Sequence, residues 1–432
     1  MEATQHDSCN PAIVLYYNST VAIIEKAGII CHDLVAALRG ISEFVHFNLN
    51  PVMVMSGEVP VNIEIISLVS GGKLLSPQRA YELTRKAIKK CSGRFIFLYE
   101  DALLRGNISA DIRALVDELQ PKKVIFCTAR PRLNRYILNG SAYIGTLPVD
   151  RTLLASDPAE PVTESHIPSI IKKDTGLLSK CIGLADIERG ASYIASIIEE
   201  STERIVVCDA RETHHLKTIA EALVLGQGAW VPCGSGGLIK EIPAAYGFME
   251  KRTVIKPFNN NKPVVLAVGS LDEVSALQLA IAAEKSMVYP VMVEPADLWG
   301  KSGREGKMNE LASIAAERIE AGQNIAITST HSHYSPRVHS RAASLFATVV
   351  SKAISQQSIG GLVVIGADTA YALCKELRVK SIQVKGVIGE NGGTLIAEAQ
   401  SKEGTSFTLG TKGGAVGDEM EIVRAIKFMR SS

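Results

Sequence analysis

Short apolar runs that end at small or polar turn residues recur along nearly the whole chain, with helical patterns between them. In Gly361-Leu-Val-Val-Ile-Gly-Ala-Asp-Thr-Ala370, an apolar run enters Gly-Ala-Asp-Thr, and a helically spaced segment follows. This pattern indicates a buried strand, a tight turn and a helix start. Its repetition predicts an α/β fold in which helices cover mainly parallel sheets and ligands bind at the carboxyl ends of strands.

The predicted elements fall in both halves of the chain. The predicted strands are residues 12–17, 63–68, 95–99, 123–127, 205–208, 264–268, 288–293, 324–328 and 362–365. The predicted helices are residues 77–89, 109–119, 191–200, 213–225, 271–285, 307–321, 336–355 and 419–429.

Two domains are expected, because 432 residues are many for a single hydrophobic core. The segment 251–263 is polar and rich in turn-forming residues, which makes it the best boundary. It separates a domain over residues 1–255 from a second domain over residues 256–432. Each domain is predicted to be a mainly parallel sheet flanked by helices.

Composition excludes several functional classes. The formal net charge is +1, so no basic field is expected to attract nucleic acid. No apolar run reaches the roughly 18 residues of a membrane helix, and the first residues lack the order of a secretory signal. The eight cysteines stand singly, with no Cys-x-x-Cys pair. We therefore expect reduced thiols, a cytoplasmic location and neither a nucleic-acid nor a membrane partner.

Three glycine-bearing turns in the second half could each bind a phosphate. They are Val268-Gly-Ser270, Gly366-Ala-Asp-Thr369 and Lys412-Gly-Gly-Ala-Val-Gly417. Backbone amides at such turns and at helix starts bind anions. The hydroxyl and carboxyl side chains could instead cap the helices that follow, and the last turn could be a flexible connection. None of the three matches the Walker motif, and no Gly-x-Gly-x-x-Gly opens a helix, which disfavours a Rossmann-type oxidoreductase.

The order of these motifs resembles the four-carbon acid sugar kinases, which are ATP-dependent enzymes acting on threonate, erythronate and 3-oxo-tetronate. The series Gly234-Ser-Gly-Gly-Leu238, Val268-Gly-Ser-Leu271 with Gln278, and the last two glycine turns is similar to their nucleotide-binding domain. The family usually has Gly-Gly-Asp-Thr and Lys-Ser-Gly-Asn-Phe-Gly at the last two places. The nucleotide-binding residues that the resemblance implies are Ser270, Gly366, Ala367, Asp368, Thr369, Lys412, Gly413, Gly414 and Gly417.

The first half carries the same resemblance, which spans roughly residues 60–430. Tyr99-Glu-Asp-Ala-Leu-Leu-Arg-Gly-Asn107 stands where the family has Lys-x-Asp-Ser-Thr-Leu-Arg-Gly-Asn. The segment 134–143 and the block Asp157-Pro-Ala-Glu-Pro-Val-Thr-Glu-Ser165 follow in family order. The resemblance implies that Asp101 orients or deprotonates the reacting hydroxyl. The implied sugar-acid-binding residues are Arg105, Gly106, Asn107 and Arg135.

The chain also departs from the family pattern. The family has Ala-Asp-Asp-Leu-Thr-Gly-Ala after its first strand, with acids that face the sugar acid. The matching place is taken to be Ile13-Val-Leu-Tyr-Tyr-Asn-Ser-Thr20, which has no acid. Tyr99, Ala102 and Leu103 replace the lysine, serine and threonine of the second substrate motif. A family arginine before the Leu-Ser-Pro helix start corresponds to Gly71 or Gly72.

Two functional interpretations follow from the resemblance and these departures. The first is an ATP-dependent kinase that phosphorylates the terminal hydroxyl of a four-carbon sugar acid. The second is a non-catalytic paralogue that binds a nucleotide or a sugar acid. The kinase would use ATP, with Mg²⁺ bridging the phosphates. No protein metal site is predicted, because His331-Ser-His333 lacks a third nearby ligand and His214-His215 falls in a helix's first turn. The oligomeric state stays open, with a homodimer as an ordinary option.

Overall fold

The computed structural model describes residues 24–157, 160–251, 254–258, 260–294, 303–329, 336–389 and 393–430. The strands are β1 Ala27–Cys31, β2 Val52–Val54, β3 Ile65–Val69, β4 Phe95–Tyr99, β5 Lys123–Cys127, β6 Arg135–Leu138, β7 Ser141–Ile144, β8 Leu147–Pro148, β9 Ser179–Ile182, β10 Ile205–Cys208, β11 Trp230–Gly234, β12 Val264–Val268, β13 Tyr289–Val293, β14 Ile325–Ser329, β15 Gly361–Ile365, β16 Val379–Ile388, β17 Thr394–Ser401 and β18 Ser406–Lys412. The α-helices are α1 Leu34–Ser42, α2 Pro77–Lys90, α3 Ile108–Leu119, α4 Ile167–Thr175, α5 Leu184–Ile187, α6 Ala191–Glu200, α7 Thr213–Leu225, α8 Gly236–Ala245, α9 Glu273–Glu284, α10 Arg304–Glu320, α11 Pro336–Ile354, α12 Ala367–Glu376 and α13 Glu421–Met429.

Fifteen of these strands form one sheet in the order β13-β14-β12-β15-β18-β17-β16-β2-β3-β1-β4-β11-β5-β10-β9. Two parallel blocks make up most of it, one from each half of the chain. The antiparallel pairs β18–β17, β17–β16 and β16–β2 join the blocks edge to edge. The α/β class and the mainly parallel sheet are therefore confirmed. The halves do not form separate sheets, because β2 of the first half pairs with β16 of the second.

The strand order of the first block reverses at β1. The chain passes from β1 to β2 and β3 on one side, and β4 then pairs with the other side of β1. All five residues of β1 are buried, as expected for a central parallel strand. In open α/β sheets, ligands bind in the crevice outside the carboxyl ends of strands at such a reversal. The fold thus directs attention to the residues that follow β1 and β4.

The second block has a reversal of its own at β12. This strand pairs with β14 on one side and with β15 on the other, and every residue of β12 and β15 is buried. The residues after β12 are Gly269 and Ser270, and those after β15 begin with Gly366. Two of the three glycine turns therefore meet at the second reversal point, and the third follows β18, the neighbour of β15.

Several elements escaped the sequence-based prediction. The predicted strand at residues 12–17 lies outside the described residues, and the structure places the first described strand at Ala27–Cys31. Strand β11 was missed because Pro232 lies within it, although proline is unusual in a central strand. The antiparallel β16, β17 and β18 were also missed. The other eight predicted strands are confirmed, four of them with identical bounds, at residues 95–99, 123–127, 205–208 and 264–268.

Helices cover both faces of the sheet around two clusters of buried apolar side chains. Among the described residues, no helix combines the length and the hydropathy that crossing a membrane would require. Seven cysteines in the described ranges are free thiols, and six of them are buried. The domain boundary near residue 255 remains a proposal.

Candidate active site

Four polar residues line the crevice between the carboxyl ends of β1 and β4. His32 and Asp33 follow β1, and Glu100 and Asp101 follow β4. Asp33 is the N-cap of α1, and its carboxylate accepts a hydrogen bond from the Ala36 amide at 2.7 Å. A carboxylate is thus fixed at the start of the helix that leaves the crevice.

Asp101 lies in this crevice with positive groups around it. Arg105 Nε donates to Asp101 Oδ2 at 2.5 Å, and the Leu103 amide donates to Asp101 Oδ1 at 3.0 Å. Burial alone would raise the pKa of Asp101, yet the neighbouring Arg105 and Lys73 outweigh it and hold that pKa well below its usual range. Asp101 is therefore an ionised acceptor rather than a proton donor.

Lys73 supplies a cation that the sequence comparison did not find. Its Nζ lies 3.1 Å from Glu160 Oε2, and both side chains are largely buried. Because Lys73 lowers the pKa of Asp101, it belongs to the same charged group. Gly71 or Gly72 stands where the family has an arginine, and Lys73 provides a positive charge next to that place.

Arg135 begins β6 and faces the same crevice. Burial lowers its pKa, Asp101 raises it, and the neighbouring Arg130 and Arg105 lower it further. Arg130 and Tyr99 both pack against Gly236, the first residue of α8. A Cβ on Gly236 would be 3.0 Å from the Tyr99 hydroxyl and 3.3 Å from Arg130 Cζ. The structure thus brings Asp101, Arg105 and Arg135 together, as predicted, and adds Arg130 to them.

Asn107 binds the backbone of the loop after β3. Its Nδ2 donates to the carbonyls of Gly72 at 2.8 Å, Lys73 at 3.3 Å and Leu75 at 3.0 Å. These bonds hold the loop that carries Lys73 against the start of α3. Gly106, just before it, has a φ of 97°, a conformation that favours glycine. In this structure both residues shape the crevice, and their direct contact with the sugar acid stays a prediction.

An acid follows the first described strand of the chain. The family has Asp-Asp-Leu after its first strand, and the first described strand here is followed by His32-Asp33-Leu34. The earlier assignment of that motif to residues 13–20, without an acid, lies outside the described residues. His32-Asp33-Leu34 offers a second place for the motif, where Asp33 would keep one of the two acids.

The glycine turns of the second half pack directly against one another. A Cβ on Gly269 would lie 2.0 Å from Thr369 Oγ1, and a Cβ on Gly414 would lie 2.0 Å from Ser270 Oγ. Gly366 has a φ of 111° and its amide donates to the Lys412 carbonyl at 3.1 Å. The backbone therefore approaches closely at all three turns, which only glycine permits.

Helix capping does not account for Ser270. The N-cap of α9 is Asp272, whose carboxylate accepts from the Val274 amide at 2.9 Å. Ser270 Oγ accepts instead from the Asp272 amide at 3.2 Å. At α12 the N-cap is Gly366, which leaves Asp368 in the first turn of the helix and Thr369 buried behind it.

Lys412 organises the third turn from within. Its buried Nζ donates to the carbonyls of Gly413 at 3.2 Å, Gly414 at 3.3 Å and Val416 at 3.1 Å. Burial lowers the pKa of Lys412 to about 8. The C=O and N–H of a trans peptide point in opposite directions. The amides that follow these three carbonyls, at residues 414, 415 and 417, are therefore directed away from the lysine.

Polar side chains from α9 and α13 fix this turn in place. Ser275 Oγ donates to the Gly414 carbonyl at 2.7 Å, and Gln278 Nε2 donates to the carbonyls of Val416 at 3.1 Å and Asp418 at 2.7 Å. Fully buried Glu421 accepts from the Thr394 amide at 2.6 Å and from its hydroxyl at 2.8 Å. The carbonyls of the turn are thus held by side chains of α9, and Glu421 holds the start of the neighbouring strand β17.

The two reversal points are linked through α1 and α12. Arg39 on α1 donates a hydrogen bond to the carbonyl of Gly393, in the loop before β17. Tyr371 on α12 places its hydroxyl 3.7 Å from the position of a Cβ on Gly71, in the loop after β3. Arg39 also lies close to two other cations: the charge of Arg130 lowers the pKa of Arg39, and the charge of Arg39 lowers the pKa of Lys412. Residues of the two halves thus border one another between the two sets of turns.

Two of the four histidines named from the sequence lie among the described residues. His214 and His215 lie in the first turn of α7, as predicted, and both contact Glu188 Oε1, at 2.9 and 2.7 Å. Nδ1 of His215 accepts from the amides of Arg211 and Glu212, so the ring has an ordinary structural role. His331 and His333 lie outside the described residues.

Two family models match the chain, one in each half. The model of a sugar-binding N-terminal domain matches residues 58–242, and that of a nucleotide-binding C-terminal domain matches residues 265–422. The first includes the crevice residue Asp101, and the second includes all three glycine turns. The two models together account for well over half of the sequence.

Relatives with established names extend over most of the chain. A D-erythronate kinase from Heliobacterium modesticaldum is 25% identical over 395 residues, covering 85% of this chain and 87% of that protein. A D-threonate kinase from Salmonella typhimurium is 24% identical, covering 76% and 79%. A 3-oxo-tetronate kinase from Haemophilus influenzae is 25% identical, covering 62% and 67%.

Solved structures support the fold. A structure from Salmonella typhimurium LT2, described as that of a tRNA synthase, superposes with a TM-score of 0.77 at 18% identity, covering 93% of this chain and 98% of the other. A protein from Haemophilus influenzae gives a TM-score of 0.72 at 17% identity, covering 93% and 100%. At such identities the likeness concerns the fold alone. On the matched family models and the named relatives, the chain belongs to the four-carbon acid sugar kinase family.

Proposed function

We propose that this protein is an ATP-dependent kinase that phosphorylates the terminal hydroxyl of a four-carbon sugar acid. The observation that carries the proposal is the pairing of two sheet reversal points with complementary chemistry. One has an ionised acid among cations, and the other has close-packed glycine turns with amides directed outward. We assign the sugar acid to residues 1–255 and the nucleotide to residues 256–432.

The sugar acid fits the charges of the first crevice. Arg105 and Arg135 can receive its carboxylate, because a guanidinium pairs with a carboxylate through two parallel hydrogen bonds. Asp101 is already ionised and can accept a hydrogen bond from the reacting hydroxyl, which orients that group for attack. Asp33 and Lys73 border the same space, and Gly106 and Asn107 keep its loops in position.

The nucleotide fits the glycine turns. Polyphosphates are held by successive backbone amides, and those of Gly414, Ala415 and Gly417 face away from Lys412. The proposed contacts are completed by the other turn residues, which are Ser270, Gly366, Ala367, Asp368, Thr369 and Gly413.

Mg²⁺ would arrive bridging the phosphates of ATP and would neutralise part of their charge. Asp368, in the first turn of α12, is the carboxylate of this site that could meet such an ion, since Mg²⁺ prefers oxygen ligands. Phosphoryl transfer relies mainly on positioning and charge. Asp101 would therefore orient the reacting hydroxyl, and the surrounding cations would stabilise negative charge. ATP as a substrate and single reduced cysteines fit a cytoplasmic enzyme.

The test is an assay of phosphorylated product with ATP, Mg²⁺ and each of D-erythronate, D-threonate and 3-oxo-tetronate. We expect ATP-dependent product with at least one of them, identified by mass spectrometry. Calorimetry on the same protein separates the alternative, because a non-catalytic paralogue would bind ATP or a sugar acid and form no product. The retained Asp33 favours the kinase over that alternative, since the crevice has not lost its acids.

A further inference from the structure

A second group of ionisable side chains includes two buried residues that border the crevice, His32 and Glu100, neither of which is assigned to the sugar acid. His32 at the end of β1, Glu100 after β4 and Asp111 in the first turn of α3 bring a ring nitrogen and two carboxylates within 4.8 Å of one another. Their exposed fractions are 5%, 1% and 3%. Residues that follow two strands and one that begins a helix therefore converge on one enclosed point.

The atoms that face this point have no partner in the described part of the chain. His32 Nδ1 and both carboxylate oxygens of Glu100 are buried without a hydrogen bond. Burying an ionisable group in this way is costly unless it is paired or coordinates a metal. A structure that leaves three such atoms together has a place for a group that satisfies all of them.

The spacing favours an ion over a shared proton. His32 Nδ1 lies 3.8 Å from Glu100 Oε2, which is too long for a hydrogen bond. Ligands bound to one transition-metal ion at about 2.0–2.2 Å stand farther apart than hydrogen-bonded atoms, and this separation suits them. Two carboxylates also balance the charge of a divalent ion, so the buried group would become neutral.

The surrounding contacts are those of an outer ligand shell. Thr84 Oγ1 donates to Asp111 Oδ1 at 2.5 Å, which leaves the second oxygen of that carboxylate for the ion. His32 Nε2 lies 3.5 Å from Asp33 Oδ2, so the other ring nitrogen faces a carboxylate. Metal-binding histidines commonly have such a carboxylate on their second nitrogen.

We propose that His32, Glu100 and Asp111 bind one divalent transition-metal ion, which ties the ends of β1 and β4 to α3. An imidazole with two carboxylates suits Zn²⁺, Mn²⁺, Fe²⁺ or Co²⁺ better than Mg²⁺ or Ca²⁺, which prefer oxygen ligands alone. The role is structural, because the ligands are enclosed. Through His32 the ion also holds Asp33 in place beside the crevice. The sequence predicted no protein metal site, and His32 was not among the histidines it considered.

The exposed group Glu188, His214 and His215 offers a matched control. It also has one carboxylate and imidazole nitrogens within reach of one another, but Glu188 is half exposed and all its histidine contacts are short hydrogen bonds. Its ring nitrogens are already used, so we expect no ion there. Glu188→Gln removes the same charge as Glu100→Gln, without touching the buried group.

The experiment measures metal bound to the full chain after expression with added Zn²⁺, Mn²⁺ or Co²⁺ and removal of free ion. We expect about one ion per chain by elemental mass spectrometry, visible absorption bands from the Co²⁺ form, and a higher unfolding temperature than metal-free protein. Glu188→Gln should keep all three properties. Glu100→Gln should lose the ion. Asp111→Asn should weaken metal binding at least tenfold, and it replaces Glu100→Gln as the test if that variant does not fold.

Either of two results would overturn the proposal. The first is a wild-type chain without bound ion under all three conditions, with Glu100→Gln more stable than the wild type, which would mean that Glu100 is simply protonated. The second is an ion whose stoichiometry is the same in wild type, Glu100→Gln and Asp111→Asn. Neither readout depends on kinase activity, so the metal site and the proposed function can fail independently.

Discussion

Two positive groups, Arg105 and Lys73, lie beside a single carboxylate at the end of β4, and this balance determines what Asp101 can do. Both favour its ionised form against the effect of burial. An ionised carboxylate can orient a hydroxyl as a hydrogen-bond acceptor, and the cations remain available for the substrate's own negative charges. At the scale of residues, the proposed chemistry therefore depends on an acceptor with fixed charge.

Replacing Asp101 by Asn tests that role. The amide keeps the shape of the side chain but removes the charged acceptor, so we expect kcat to fall about 10²–10⁴-fold while the KM for ATP stays nearly unchanged. The control is Asp117→Asn on α3, which also removes the acid of an Asp–Arg pair four residues apart. If both variants retained full kcat with the best sugar acid, Asp101 would have no part in the reaction.

Lys412 gives the nucleotide turn a dependence on pH. Its pKa is lowered to about 8 by burial, so its ammonium group loses its charge as the pH rises through that value. We expect the KM for ATP to rise between pH 7 and 9, because the neutral amine holds the three carbonyls less firmly and no longer places a positive charge near the phosphates. In Lys412→Met the KM should be high throughout and lack this step.

As the pH rises, binding of ATP should weaken while the unfolding free energy increases, so the two effects of Lys412 can be told apart. Because the folded pKa of Lys412 lies below that of the free side chain, the unfolded chain binds a proton above pH 8 that the folded chain does not. The contribution of this group to the unfolding free energy therefore grows with pH between about 8 and the pKa of a free lysine, about 10.4. A rise in KM accompanied by loss of structure over the same range would contradict this explanation.

At the scale of elements, the glycine turns after β12, β15 and β18 act as one packed unit. A methyl group on Gly414 would lie 2.0 Å from Ser270 Oγ, so Gly414→Ala must push two turns apart. We expect the KM for ATP to increase more than tenfold, with the KM for the sugar acid little changed. Gly306→Ala on α10 is the control, because nothing lies within 4 Å of its added methyl group. Equal kinetics in the two variants would place the nucleotide elsewhere.

The loop after β3 depends on Asn107. Loss of three hydrogen bonds in Asn107→Ala should lower the unfolding free energy by about 1–3 kcal/mol and raise the KM for the sugar acid, since Lys73 is no longer held beside the crevice. Denaturant unfolding and steady-state kinetics measure the two effects. A variant with lower stability but an unchanged sugar-acid KM would show that this loop does not contribute to the crevice.

The sequence predicted most of the parallel strands because their buried apolar runs end at recognisable turns. It failed where the rules conflict with the tertiary structure. Pro232 argues against a strand in β11, yet that strand lies between β4 and β5. The short strand β1 has glycine within it because a Cβ on Gly28 would meet Cys91 Sγ at 2.8 Å, a contact that only the fold creates.

The site was predictable in proportion to its local character. Asp101 and Arg105 belong to one continuous motif, and the glycine turns are recognisable from their composition. Asp33, Lys73 and Arg130 come from three separate loops, and only the order of strands brings them to one crevice. The partners of Lys412 could not be read from the sequence either, because they are backbone carbonyls of its own turn.

At the scale of the whole molecule, one continuous sheet presents two reversal points, and Arg39 and Tyr371 join the segments around them. The most direct test is a crystal structure with a non-hydrolysable ATP analogue, Mg²⁺ and a four-carbon sugar acid. We predict phosphates on the amides of residues 414, 415 and 417, and the acid's hydroxyl on Asp101. A nucleotide bound away from the turns after β12, β15 and β18, or a sugar acid bound away from β1 and β4, would contradict the account.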